Sequence, residues 1–175
     1  MWAVNHKSQS GVALVLVMVF LLVMTVLGVS GLSRIQLDER IVQNNRNIIV
    51  AFSAAESALS DGEKWLQEQS NIPTAVSSCE TTPCTVWVGD LNGNLTNNSH
   101  AWWMQNGTAM STTLAQVSVD PRYIIEQTHF IPHELSPDAQ SQGKGTYYYR
   151  VTARGTGQTT QSQSIVQSIF SVFYN

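Results

Sequence analysis

From Val12 to Leu32 the chain carries no charged residue; Lys7 precedes the run and Arg34 follows it. That length matches the roughly 20 apolar residues that cross a bilayer as a helix rising about 1.5 Å per residue. Beyond Arg34 the pattern changes rather than ends. Leu37, Ile41, Ile48, Phe52, Ala55, Leu59 and Leu66 recur at helical steps of three, four or seven, and no proline occurs before Pro73. The spacing predicts one continuous helix from Val12 to about Ser70, roughly 90 Å long. Its first third is apolar all round, and its later part is amphipathic, with one face for a globular domain. Gly28 and Gly31 lie between the two parts. Each weakens the helix by about 1 kcal/mol relative to Ala, which suits close helix packing or a segment that unwinds as subunits pack.

After Pro73 the period shortens. Thr85 to Val88 reads as a short strand, and Asp90, Asn92, Gly93 and Asn94 as a turn. Arg122 to Ile131 is rich in β-branched and aromatic residues. Tyr147, Tyr149, Val151 and Ala153 alternate with Tyr148, Arg150, Thr152 and Arg154, and Ser164 to Tyr174 is again β-prone. Gly155 and Gly157 mark a turn that pairs the last two strands as a hairpin, and Pro132 to Gly145 is a longer loop. The predicted fold is α+β: a long N-terminal α-helix, membrane-spanning in its first part, packed on a C-terminal antiparallel β-sheet. The chain divides into a leader at 1–11, a membrane or fibre-core helix at 12–33, its amphipathic continuation at 34–72, and sheet and loops at 73–175.

Composition adds limits. A length of 175 residues suits one membrane segment and one domain. Only 12% of residues are charged, about half the usual quarter, so the surface is polar through Ser, Thr, Asn and Gln. A net charge of -3 and a pI near 5.7 give no basic footprint for phosphate, which speaks against a nucleic-acid partner.

Catalytic chemistry has no visible machinery. Cys79 and Cys84 share one short loop, Ser-Cys-Glu-Thr-Thr-Pro-Cys-Thr. In an oxidising compartment they form a disulfide that contributes about 2 kcal/mol by the chain-entropy model. With no nearby Cys or His pair they supply half a zinc site, so no metal is expected. The turn at Asp90 lacks the glycine and glutamate positions of a calcium loop. Asn94, Asn97 and Asn106 fit a glycosylation pattern but take no role. Of Trp102 and Trp103, one is expected in the core and the other partly exposed. His129 and His133 are separated by Pro132, which breaks the helix that would align them as ligands. No nucleophile elbow, phosphate loop or dinucleotide fingerprint occurs. Glu56 and Glu63, seven apart on the helix, read as a solvated face or a contact between subunits. The expectation is a non-enzyme without cofactors.

The N-terminal junction is more informative. A polar leader with Asn5, His6, Lys7, Ser8, Gln9 and Ser10 leads to Gly11 and then to uninterrupted Val-Ala-Leu-Val-Leu. A secretory signal has an apolar core of about 7–15 residues, shorter than this one. Glycine at the junction offers a peptidase an extended, unhindered backbone, and a cut there keeps the anchor. The arrangement resembles the class III signal of type IV pilins. That resemblance implies cleavage between Gly11 and Val12 by a prepilin peptidase and methylation of the new N-terminus at Val12. Where most pilins carry Phe and, at the fifth mature residue, Glu, this chain has Val12 and Leu16. A carboxylate inside a bilayer persists only when paired, and in pilins its partner is the terminal amine of a neighbouring subunit. Leu16 removes both the membrane penalty and the pairing, while the amine can still receive another subunit's acid. Such a subunit belongs at one end of a fibre. Arg34, Arg40 and Arg46 outnumber Lys7 and His6 across the anchor, so charge alone mildly favours the opposite topology. The pilin-like tail and the cysteines place the C-terminal domain in the periplasm.

Four further blocks occur in order: Ala51-Phe-Ser-Ala-Ala-Glu-Ser-Ala-Leu with Gly62-Glu63, Pro121-Arg-Tyr-Ile-Ile-Glu, Tyr149-Arg-Val-Thr-Ala-Arg-Gly155, and Val166-Gln-Ser. With the signal, they resemble the PilX family of minor type IV pilins from residue 10 almost to the end. The resemblance implies a low-abundance inner-membrane pilin that joins other minor pilins in a complex priming pilus assembly and lying at the tip. The implied partners are the other minor pilins, a tip adhesin, the major pilin and the prepilin peptidase. Leu16 also fits the tip-like pseudopilin of a type II secretion system. That role, a pilus-associated adhesion module and a plain anchored envelope protein are the alternatives.

Overall fold

The computed structural model describes residues 10–78, 84–89, 93–133 and 143–174. Helix α1 runs from Ser10–Gln67, 58 residues without a break, passing through Gly28 and Gly31 as regular helix. Lys64 in its last turn complements the negative end of the helix dipole. The chain divides into two compact units, one ending at Asn44 and the other beginning at Asn45.

In the first unit the described apolar side chains of the helix are exposed. Its apolar side chains from Val12 to Val29 are about half to two-thirds exposed, and so are Ile35, Leu37, Ile41 and Val42. The Thr25 hydroxyl donates to the Leu22 carbonyl at 2.8 Å, which satisfies a polar group inside the apolar run.

The second unit packs the rest of α1 against a five-stranded sheet ordered β1-β3-β4-β5, with β2 also paired to β3. The strands are β1 Val86–Val88, β2 Thr108–Ala109, β3 Arg122–Pro132, β4 Gly145–Thr156 and β5 Gln163–Tyr174. The three long strands fall where residue alternation predicts them, and β4 and β5 form the expected hairpin, in continuous register from Gly145↔Tyr174 to Thr156↔Gln163. The sheet is mixed rather than wholly antiparallel, because β1 runs parallel to β3, Val86 opposite Ile125. A parallel pair needs a long crossover. Here it carries a 3-10 turn, Leu95–Asn97, and a short helix α2, His100–Asn106.

One face of the sheet meets α1 through Tyr123, Ile125, Tyr147, Tyr149, Val151 and Ala153, closed by Ala58 and Leu66. The buried helix stripe keeps the expected Ala55 and Leu66 but departs from the expected one at its larger residues. Ala51, Ala54, Ala55 and Ala58 are at most 2% exposed, whereas Ile48 and Phe52 remain about half exposed. Small residues face inward because strand backbone presses on helix backbone. A Cβ at Gly155 would run into the Ala51 carbonyl oxygen and the Ala55 nitrogen, with the Ala54 carbonyl carbon at 2.9 Å. Gly155 therefore lies within β4 and not in the turn, where only bare backbone fits. Gly157 opens the turn, and Asn47 of α1 holds that turn. Its Nδ2 donates to Ser162 Oγ at 2.8 Å and Thr159 Oγ1 at 3.2 Å, and its Oδ1 accepts from Gln158 N at 2.6 Å.

The other face is partly covered by α2 and the 3-10 turn. Trp103 is fully buried there with Trp87, Leu95 and Ile124. Trp102 stays partly exposed against it, its ring edge-on at 5.8 Å. Ser99 caps α2 by accepting from Trp102 N, and Asn94 caps the 3-10 turn by accepting from Thr96 N.

Candidate assembly surface

The residues singled out by sequence do not converge on one chemical centre. Gly11 and Val12 sit in the first turns of α1, so the junction is helical here rather than extended. A Cβ at Gly11 would meet nothing within 4 Å. Val12 and Leu16, one turn apart, share a shallow apolar strip with Val15 and Val19. The strip at Leu16 is hydrocarbon throughout.

Cys84 packs beside the Trp87–Trp103 cluster; Cys79 lies outside the described residues, as do Asp90 and Asn92 of the expected turn. Gly93 has the positive φ of 57° that a turn glycine permits. His129 and His133 belong to the end of β3 and the residue after it, not to a helix. His129 faces Tyr148 across the ladder, and the His133 ring meets Phe173 edge-on at 5.4 Å. Among the described residues no group of three His, Cys, Asp or Glu side chains gathers to hold a metal. Glu56 is exposed, while Glu63 accepts from Ser168 Oγ at 2.6 Å and ties α1 to β5.

Sequence reasoning missed two polar arrangements. Glu126 is fully buried on the sheet face opposite α1, and its Oε2 accepts from Arg150 Nε, directly across the ladder, at 2.9 Å. The signal was present: one acid inside Tyr-Ile-Ile-Glu, with arginine at the matching step of the next strand. The second is a cleft of about 260 Å³ lined by Asp61, Lys64, Trp65, Glu68, Ser111 and Tyr123. Asp61 accepts from Ser111 N at 2.9 Å and from Ser111 Oγ at 2.7 Å. Burial, and secondarily the Asp61 charge, pushes the Tyr123 hydroxyl up to about 12. Asp61 thus serves to pin the strand-bearing loop to α1.

The described residues present an exposed apolar stretch of helix and a sheet edge with which no described strand pairs. Residues 10–60 match the model described as PilX N-terminal, and residues 61–172 match the one described as Type IV pilus assembly protein PilX C-term. No curated protein and no solved structure matches the chain.

Proposed function

Because the chain belongs to the PilX family of type IV pilus assembly proteins, and is thereby a type IV pilus minor pilin, we propose that it helps prime pilus assembly in a tip complex with other minor pilins. The family is structural rather than catalytic, and α1 is long and apolar enough to cross a membrane. In this reading, prepilin peptidase cuts between Gly11 and Val12 and the new Val12 amine is methylated. The anchor waits in the inner membrane with the C-terminal domain in the periplasm, where Cys79 and Cys84 form their disulfide; among the described residues no cysteine is free. A tip adhesin and the major pilin complete the set of contacts.

The observation that carries the tip position is Leu16, fully apolar on an exposed strip of helix. An acid there would draw the amine of the adjoining subunit, and without it the chain offers its own amine only. It can therefore be followed along the fibre on one side and not the other. A subunit of that kind starts a fibre rather than extends it.

Mass spectrometry of the chain from cells with and without prepilin peptidase tests the processing. Methylated Val12 as the first residue, seen only with the peptidase, is expected; intact Met1 beside processed sister pilins would sink the assembly reading. Deleting the gene should then reduce surface fibres, and normal fibre numbers with lost attachment would favour the adhesion module.

A further inference from the structure

The two edges of the sheet are finished very differently. On one side β1 is three residues long and Val76 lies across it, donating to the Val86 carbonyl at 3.1 Å and accepting from Val88 N at 3.0 Å. On the other side β5 runs for 12 residues, Gln-Ser-Ile-Val-Gln-Ser-Ile-Phe-Ser-Val-Phe-Tyr. Among the described residues no strand pairs with its outer edge. Chains normally guard such an edge with a charge, a proline, a bulge or a short strand, because an open row of amide and carbonyl groups recruits any available strand. This one has no charged residue, no proline and no shift in its register with β4. On the face away from α1 it also exposes Ile169 at 73% and Phe173 at 52%, beside Ile131 at 54%.

We infer that the outer edge of β5 receives an extended strand from another protein of the pilus complex, which adds a sixth strand to the sheet. Backbone hydrogen bonds supply the affinity, and side chains at alternate positions supply the choice of partner. The donor is an extended segment matched through apolar side chains rather than charge, since β5 itself carries no charged residue. It is apolar at every second residue, where its side chains lie against Ile169 and Phe173. A second copy of the chain fits less well. Antiparallel pairing of two β5 strands with both sheets facing the same way turns one sheet by half a revolution about an axis perpendicular to it. The stretch of α1 packed on that sheet turns with it. Two copies entering one membrane by the same end cannot adopt that pairing.

This rests on the proposed place in a pilus complex, yet its test reads separately from fibre counts. The full chain, in cells that make pili, carries p-benzoylphenylalanine at Ile169, Ser171 or Phe173 in turn, and at Met104 of α2 as a control; irradiated adducts are mapped by peptide mass spectrometry. Strand addition predicts one partner protein, with the cross-linked partner residue stepping by two each time the probe moves by two. Ile169→Lys, at an exposed side chain that leaves the core alone, should cut the Phe173 adduct about fivefold, the loss of one apolar cross-strand pair on an edge that a lysine also blunts. No adduct, scattered partner residues, an adduct equal in yield at Met104, or an adduct with the chain itself would overturn the inference. If the gene proves dispensable for fibres while the two-residue ladder appears, the priming reading falls and strand addition stands. Lost fibres without a ladder mean the reverse.

Discussion

Gly155→Ala puts the backbone-to-backbone approach of β4 to α1 under direct test. The added methyl would meet the Ala51 carbonyl oxygen and the Ala55 nitrogen, with the Ala54 carbonyl carbon at 2.9 Å. All three are main-chain atoms in the middle of α1, and Ala51 and Ala55 are completely buried. No rotamer change relieves the overlap; β4 and α1 must separate. Overpacking in a core costs typically about 1–3 kcal/mol and more where backbone must shift, so a loss of about 3 kcal/mol is expected. For a folded unit that begins at Asn45, that lowers Tm by roughly 10 °C. Gly62→Ala is the informative comparison. Its Cβ would lie 3.0 Å from Tyr123 Cδ2 and Val151 Cγ1, side-chain atoms that can yield, and alanine gains about 1 kcal/mol of helix propensity. The net change there should stay within about 1 kcal/mol. Thermal melts of the full chain in detergent, followed by near-ultraviolet circular dichroism, read the domain and not the anchor. A Gly155→Ala protein that melts within about 2 °C of the parent would refute the close-contact account, since even 1 kcal/mol should move Tm further than that.

Two other perturbations probe the polar interior. Arg150→Met strips the buried Glu126 carboxylate of its cross-strand partner; leaving a charge uncompensated in a core costs about 3–5 kcal/mol, and urea unfolding that shows a loss under 1 kcal/mol would contradict the pairing. The Tyr123 hydroxyl, ordinarily near 10, is pushed up to about 12 by burial and then by Asp61. Between those values the unfolded chain sheds this proton while the folded chain keeps it, so the tyrosine's contribution to stability is intact below about pH 10 and declines toward about pH 12. Tyr123→Phe should flatten that part of the decline in Tm, and an unchanged alkaline profile would exclude Tyr123 as a contributor.

The long elements were legible because each has one strong periodic signal. The helix showed in the absence of proline and the apolar run, and β3, β4 and β5 showed in alternation that burial on one face enforces. What sequence misplaced has a common physical origin in close approach. Large residues such as Ile48 and Phe52 were assigned to the helix's inner face, but where Gly155 approaches, the sheet backbone leaves room only for Ala51, Ala54 and Ala55. The stripe of small residues, read together with Gly155 and Gly157, was the available clue. β1 is three residues long and its parallel pairing is fixed by a distant strand, which no local pattern encodes. The seven residues of α2 are too few for a helical period and depend on Ser99 and the Trp103 socket.

The two bare surfaces also differ in what they can select. An apolar helix in lipid associates through packing, and its surface discriminates partners mainly by shape. At Leu16 that segment presents only hydrocarbon, with no directional contact of its own. A strand edge is the opposite case: a one-residue slip moves every side chain to the wrong face, so pairing there enforces register as well as identity. If the chain tells sister subunits apart, most of that discrimination therefore falls to the unit beginning at Asn45.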